Sequence, residues 1–201
     1  MSRVFVVPSL LVSLVGVSAA APVPAATAPA PVTFFSTRVG DRMVHTMGDT
    51  DHTTVVTEVT ETETGRRVTV ESEVAGGQTT HHRTVEVSPK GISELRANGR
   101  ILPEPLWVLK LTPKADGAWT GAWPYFNQDG LATEEHGYTA MGWETVEVPA
   151  GKFRAIRVEC ECKSDDGTRR ITRWYAPGLG CVKWSDRNGG SVRKSYTPGR
   201  E

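Results

Sequence analysis

Val146–Tyr196 reads VEVPAGKFRAIRVECECKSDDGTRRITRWYAPGLGCVKWSDRNGGSVRKSY, and this stretch decides the fold. It has the pattern of consecutive antiparallel strands with their turns written out. Pro149-Ala150-Gly151 suits a three-residue hairpin loop, because Pro pre-sets a type I turn and Gly takes the left-handed position that closes it. Asp166-Gly167 is a two-residue hairpin signal. Pro177-Gly178 fits the centre of a type II turn, with Gly180 adding a bend, and Asn188-Gly189-Gly190 supplies another turn.

These turns set registers that can be compared. The first loop places Val148 opposite Lys152 and Val146 opposite Arg154. The second places Cys162 opposite Ile171, Cys160 opposite Arg173 and Val158 opposite Tyr175. Pairing Ala176 with Cys181 then sets Tyr175 against Val182 and Arg173 against Trp184. A three-residue loop at Asn188 brings Val192, Lys194 and Tyr196 alongside. Opposed side chains share a face. One face therefore collects Val146, Val148, Ile156, Val158, Cys160, Cys162, Ile171, Tyr175, Val182, Trp184, Val192 and Tyr196. A one-residue slip would scatter that set. Lys152, Arg154, Arg173 and Lys194 are the cations on it, and Arg173 is the most central.

Working outward, Met43–Met47, Thr53–Thr62, Arg67–Val74 and Gln78–Val87 read as strands, separated by turns at Glu63-Thr64-Gly65 and Ala75-Gly76-Gly77. Gly91–Leu95 and Arg100-Ile101 flank an Asn98-Gly99 turn. Leu102–Thr112 breaks the pattern with two Pro residues and an apolar Leu106–Leu109 run. It reads as a segment laid across the sheet that closes the core, with a lid on an apolar pocket as the other option. Gly117–Trp123, Thr133–Thr139 and Trp143–Val148 lead back to the opening stretch. Strands at this spacing favour a sandwich or barrel. The expected fold is all-β, an antiparallel meander curved into a partly open barrel.

The 201 residues suffice for one domain with a substantial core, expected over residues 34–198. Lys plus Arg equals Asp plus Glu at 23 each, which argues against a nucleic-acid partner. Residues 1–21 carry Arg3, an apolar run to Val17 and small residues Ser18–Ala21, the pattern of a secretory signal peptide. Residues 22–33 form a Pro/Ala-rich linker. The expected location is outside the cytoplasm, secreted or periplasmic, and peripheral to a membrane at most.

No HExxH, GxSxG, Walker or dinucleotide motif is present, so no catalytic residue, metal ligand or cofactor is assigned. The 5 His are expected at the surface, and Glu134-Glu135 in solvent. The 3 Cys are expected as buried thiols: Cys181 is separated from Cys160 and Cys162 by a whole strand, beyond the roughly 7 Å a bridge allows. Arg173 is the residue of interest. It either sits near a rim beside a carboxylate or anchors an acidic head group whose chain lies on the apolar face. Arg173, Tyr175, Trp184 and Trp107 are the candidate ligand-binding residues.

Val148-Pro149-Ala150-Gly151-Lys152-Phe153 followed by Trp174-Tyr175-Ala176-Pro177-Gly178-Leu179-Gly180-Cys181-Val182 resembles a motif pair of secreted bacterial proteins of unknown function, described as TapB-like. Their fold is similar to the curved, partly open barrel of the LolA and LolB lipoprotein carriers. The resemblance follows the strand order after Phe34, with matching residues in the last third. Those carriers bind acyl chains in a hydrophobic cavity. The resemblance thus implies a non-catalytic exported protein whose partner is a hydrophobic or lipid-like small molecule, or an envelope protein. A structural or interaction module with a filled core is the alternative, and an envelope hydrolase or metalloenzyme the third.

Overall fold

In a computed structural model, residues 33–74, 76–111, 117–127, 130–165 and 167–199 are described. The expected signal peptide and all of the expected linker but Thr33 lie outside them. Twelve strands follow in order: β1 Arg42–Met47, β2 Thr50–Glu61, β3 Arg66–Glu73, β4 Thr79–Ser88, β5 Gly91–Ala97, β6 Arg100–Lys110, β7 Ala118–Asn127, β8 Gly130–Val148, β9 Gly151–Ser164, β10 Gly167–Ala176, β11 Gly180–Asp186 and β12 Gly189–Thr197. They form one sheet in the order β6-β5-β4-β3-β2-β1-β12-β11-β10-β9-β8-β7. Every pairing is antiparallel, and β1 pairs with β12. The sheet is a meander rolled into a nearly closed barrel. Its one unsealed seam runs between β6 and β7.

The segment expected to lie across the sheet is largely β6, an edge strand at the seam. Pro103 and Pro105 fall where the β5–β6 register shifts, between the Arg96–Ile101 and Glu94–Leu106 pairs. An edge strand with an irregular stretch is where a residue without an N–H is tolerated, and it blunts pairing with foreign strands. Across the seam, Trp119 Nε1 donates to the Trp107 carbonyl at 2.7 Å. A Cβ on Gly121 would stand 2.3 Å from Leu106 Cδ1, so any larger residue there makes the Leu106 side chain shift.

β8 is one long strand, where two were expected. It bends at a register shift between Ala140 and Gly142, with Gly142 at φ 103°. A bulge sharpens local twist. The bend carries the β8–β9 hairpin tip to β12, where Ala150 N donates to the Arg193 carbonyl at 3.0 Å. This corrects the single-face reading. Val146 and Val148 pack with Ala155, Ala176, Val182, Phe153 and Val192 in a separate small cluster. Ile156, Val158, Cys160, Cys162, Ile171 and Tyr175 stay in the main core, with Trp184 and Tyr196 against it.

The cause lies in the turns. Val148 pairs with Gly151, so the loop is Pro149-Ala150 and glycine is the first strand residue, at φ 134°. Gly167 and Gly189 do the same at φ 117° and 145°. Cys160 therefore faces Ile171, Cys162 faces Arg169 and Val158 faces Arg173. Arg173 opposes Trp184 as expected, while Tyr175 opposes Cys181 after a register shift. Val at position 151 is expected to destabilise the domain by about 1–3 kcal/mol more than Val at position 150, since a β-branched residue is strongly disfavoured at positive φ. Paired urea midpoints of the two variants check this.

Hairpin alternation gives the barrel two different ends. At the end holding the start of β1, Phe34 and Phe35 are buried beside the Pro177–Gly180 turn, and Gly178 N donates to the Thr33 carbonyl at 2.7 Å. Both halves of the resemblance motif are thus packing devices: one clasps β12, the other seats the N-terminal plug. Val56, Val68, Val87, Ile92 and Leu109 fill this half, each at most 1% exposed. Towards the opposite end the lining becomes polar.

Candidate functional site: a polar barrel interior

Three guanidinium groups converge in the barrel's middle. Arg173 on β10 sits between Val158 and Trp184. Arg193 on β12 opposes His45. Arg83 on β4 opposes Val70 and Ala97. The Cys181 thiol feels all three charges, although burial dominates and pushes its pKa up. One carboxylate accompanies them. Glu94, 5% exposed, lies 3.8 Å from Arg83, and burial raises its pKa against the pull of Arg83 and Arg173.

Both deeper guanidiniums are incompletely satisfied. Arg193 is 2% exposed. Its Nη2 donates to the Cys181 carbonyl at 3.1 Å, but its Nε and Nη1 have no partner among the described residues. Burial lowers its pKa to about 10, so it remains a cation at neutral pH. Arg173 as a whole is half-buried, yet its Nη1 is shut off from solvent without a partner. Burial opposes its charge, while Tyr175, Tyr138, Cys181 and Cys160 would support it as anions. Tyr175, Tyr138 and Cys181 are raised and stay neutral near pH 7, so of these groups only Cys160, lowered to about 7, offers partial counter-charge there. An enclosed N–H without an acceptor costs about 1–3 kcal/mol, more when charged.

Histidines line the same space. His45 and His82 are held neutral, with pKa values near 3. Burial is the main cause in both, reinforced by Arg193 and Arg83 at His45 and by Arg83 at His82. Arg83 Nη2 donates to His82 Nε2 at 3.1 Å, which requires the unprotonated nitrogen. The expectation of surface histidines is therefore corrected for His45, His82 and His136.

A second cluster adjoins the first on β8 and β9. His136 opposes Cys162, and Tyr138 opposes Cys160. His136 Nε2 lies 2.7 Å from Glu134 Oε2, and Nδ1 lies 2.9 Å from the Tyr138 hydroxyl. Glu134, expected in solvent, is buried and also accepts from Arg169 Nη2 at 3.0 Å. Burial pushes its carboxyl up, but the bonds from His136 and Arg169 outweigh that and hold it low. Burial likewise pulls His136 down, while bonds to Cys162 and Glu134 carry its pKa above the usual value. The Cys160 and Cys162 sulfurs are 3.4 Å apart. The bond from Cys162, with help from Arg173, lowers the Cys160 pKa to about 7 against burial, and Cys162 is raised in return. All three cysteines are free.

Of the four residues singled out in the sequence, Arg173, Tyr175 and Trp184 come together inside the barrel. Trp107 stands apart from them on β6, paired with Ser93 and packed partly buried against the main core at the seam. Trp119 holds the inner position at the seam, stacked on Tyr138 at 5.3 Å. Arg193 was missed. Reading Asn188 in a three-residue loop set Lys194 inward, whereas the loop is Arg187-Asn188. Lys194 instead reaches out to Asp51 at 2.6 Å.

No family model matches the chain, and no curated protein matches it. Solved structures do. A "putative lipoprotein" from Parabacteroides distasonis is 15% identical with a TM-score of 0.52, covering 83% of this chain and 99% of its own. A "putative exported protein with YmcC-like fold" from Bacteroides fragilis is 16% identical with a TM-score of 0.50, over 83% and 99% of the two chains. At this identity the likeness is one of fold: the barrel is similar to the YmcC-like architecture of exported and lipoprotein-type chains.

Proposed function

We propose that this is an exported, non-catalytic binding protein of the bacterial envelope that takes an acidic amphiphile inside its barrel. The anionic head accepts from Arg193 and Arg173, and the apolar part lies beside Trp119, Leu106 and Tyr138 along the seam. The observation that carries this reading is the set of guanidinium N–H groups unpartnered among the described residues, Arg173 Nη1 and Arg193 Nε and Nη1, in an interior shared with the buried carboxyl of Glu94. Charge-assisted bonds to such groups are the strong ones, and a carboxylate or phosphate matches the guanidinium fork. β6 and β7 are not paired as strands, so a chain entering sideways would have to part only the Trp119–Trp107 bond and side-chain packing at the seam. Export is supported by the signal-like residues 1–21 and by the descriptions of the two structural neighbours.

The competing reading, an interaction module with a filled core, draws on the tightly packed half behind Phe34 and Phe35. Titration with oleate and with uncharged ethyl oleate, followed by the fluorescence of the 6 Trp, separates them. Oleate is expected to saturate at one per chain. Arg193→Met is expected to weaken it by about tenfold to a hundredfold, the worth of a charge-assisted bond. No saturable binding, or equal binding of both probes, would leave the filled-core module standing.

A further inference from the structure

We propose that His136, Cys160 and Cys162 form a binding site for a soft, thiophilic monovalent metal ion, with Cu(I) as the ion that fits. This rests on a different cluster from the acidic ligand and does not depend on it.

The donor atoms of the three buried side chains lie within 4.8 Å of one another, and the sulfurs are 3.4 Å apart. Ligands bound at about 2.0–2.3 Å to one ion stand at most about 4.6 Å apart, so the donors are near the span a metal needs without backbone movement. The strands enforce this. Residues i and i+2 share a face, which stacks Cys160 over Cys162, and the β8–β9 register puts His136 directly opposite Cys162.

The surroundings of His136 are those of a metal-binding imidazole. In the neutral ring, Nε2–H donates to the Glu134 carboxylate, which can only accept, so Nδ1 keeps the lone pair; without metal it accepts from the Tyr138 hydroxyl at 2.9 Å, which an ion would displace. A buried carboxylate fixing the tautomer from the far nitrogen is the usual outer partner of a ligating histidine. Arg169 in turn pins Glu134. Trp123 stacks on the imidazole, 6.3 Å between centroids and 2° from parallel, restraining its rotation.

Donor type and charge choose the ion. Two thiolates are soft ligands that select Cu(I) or zinc. Zinc in a structural site takes four ligands, and this cluster offers three among the described His, Cys and carboxylate groups. A Cu(I) centre with two thiolates and one neutral imidazole carries one negative charge; Arg173 acts on Cys160, and Arg169, which acts on Cys162, is already paired with Glu134. The loaded site would therefore balance a buried guanidinium, whereas zinc would leave it unbalanced. On binding, two Cu–S bonds and one Cu–N bond form, two S–H bonds break, and two protons leave to solvent. Copper stays Cu(I), and nothing is oxidised or reduced.

The test is an anaerobic titration of the full chain, reduced with a phosphine, against a chromophoric Cu(I) chelator. One Cu(I) per chain is expected, with about two protons released to a pH indicator, one from each thiol. Cys160→Ser and Cys162→Ser are expected to weaken binding by about a hundredfold and Glu134→Gln, a positioning change, by about tenfold. Cys181→Ser is expected to leave it unchanged. Circular dichroism of each metal-free variant checks folding, and Glu134→Gln with His136→Gln carries the test if a cysteine variant does not fold. Absent stoichiometric binding, Zn(II) held more tightly than Cu(I), or equal loss in Cys181→Ser would each overturn the proposal.

Discussion

Arg173→Met is expected to leave the ligand-free protein as stable as the parent, or to stabilise it by about 1–3 kcal/mol, the cost of an enclosed donor without an acceptor that the change removes. The same variant should lose acidic ligands. Arg173 holds a charge among Val158, Trp184, Tyr175 and Cys160, and its Nη1 has no acceptor among the described residues. Met matches the length of the stem and removes the desolvation cost. For a chain of this size, each kcal/mol moves the melting temperature by about 2–4 °C. A binding residue kept at the expense of stability gives opposite signs in the two assays. A structural arginine gives the same sign in both, so a drop in melting temperature would mark Arg173 as part of the scaffold.

Acidification from pH 7.5 to pH 5 should destabilise the barrel strongly through His45 and His82. Each has a folded pKa of about 3 against 6.5 for the ordinary imidazole. The folded group is depressed, so the unfolded chain binds more protons between those values. The stability contribution is fully present above pH 6.5 and is lost as pH falls towards 3. At pH 5 this amounts to roughly 1–2 kcal/mol for each histidine. Arg193, Arg83 and the neighbouring histidines repel a proton on His45, and Arg83, His81 and His52 repel one on His82, so each added charge adds to a cluster of cations. Urea midpoints across this window should fall steeply for the parent and less steeply for His45→Gln with His82→Gln. Parallel slopes would show that other groups carry the acid sensitivity.

The strand order was legible because its turns are made of residues with few other uses. Asn98-Gly99 is a case in point: both have positive φ, 46° and 79°, as a two-residue hairpin of mirror-image type requires. Parity was harder. A glycine after a two-residue loop belongs to the returning strand, and nothing local distinguishes it from a third loop residue. At Gly151 and Gly189 the difference was odd, which moved Val146 and Val148 to another face and exchanged Arg193 for Lys194. At Gly167 it was even, so Cys160, Cys162, Ile171 and Arg173 kept their common face.

The pairing that sets His136 opposite Cys162 was not legible. It depends on the bulge between Ala140 and Gly142, which resets the β8–β9 register beyond the hairpin. The alternation Glu134-x-His136-x-Tyr138 facing Cys160-x-Cys162 was the available signal. Read as one strand each, those residues share faces, and only the pairing was missing.

Native mass spectrometry of the exported protein, taken gently from the cell envelope, tests the central claim most directly. The account predicts a population heavier than the bare chain by one acidic amphiphile, released on acidification and absent from Arg193→Met. A parent protein that flies as the bare chain, or carries only neutral lipid that persists in Arg193→Met, would contradict it.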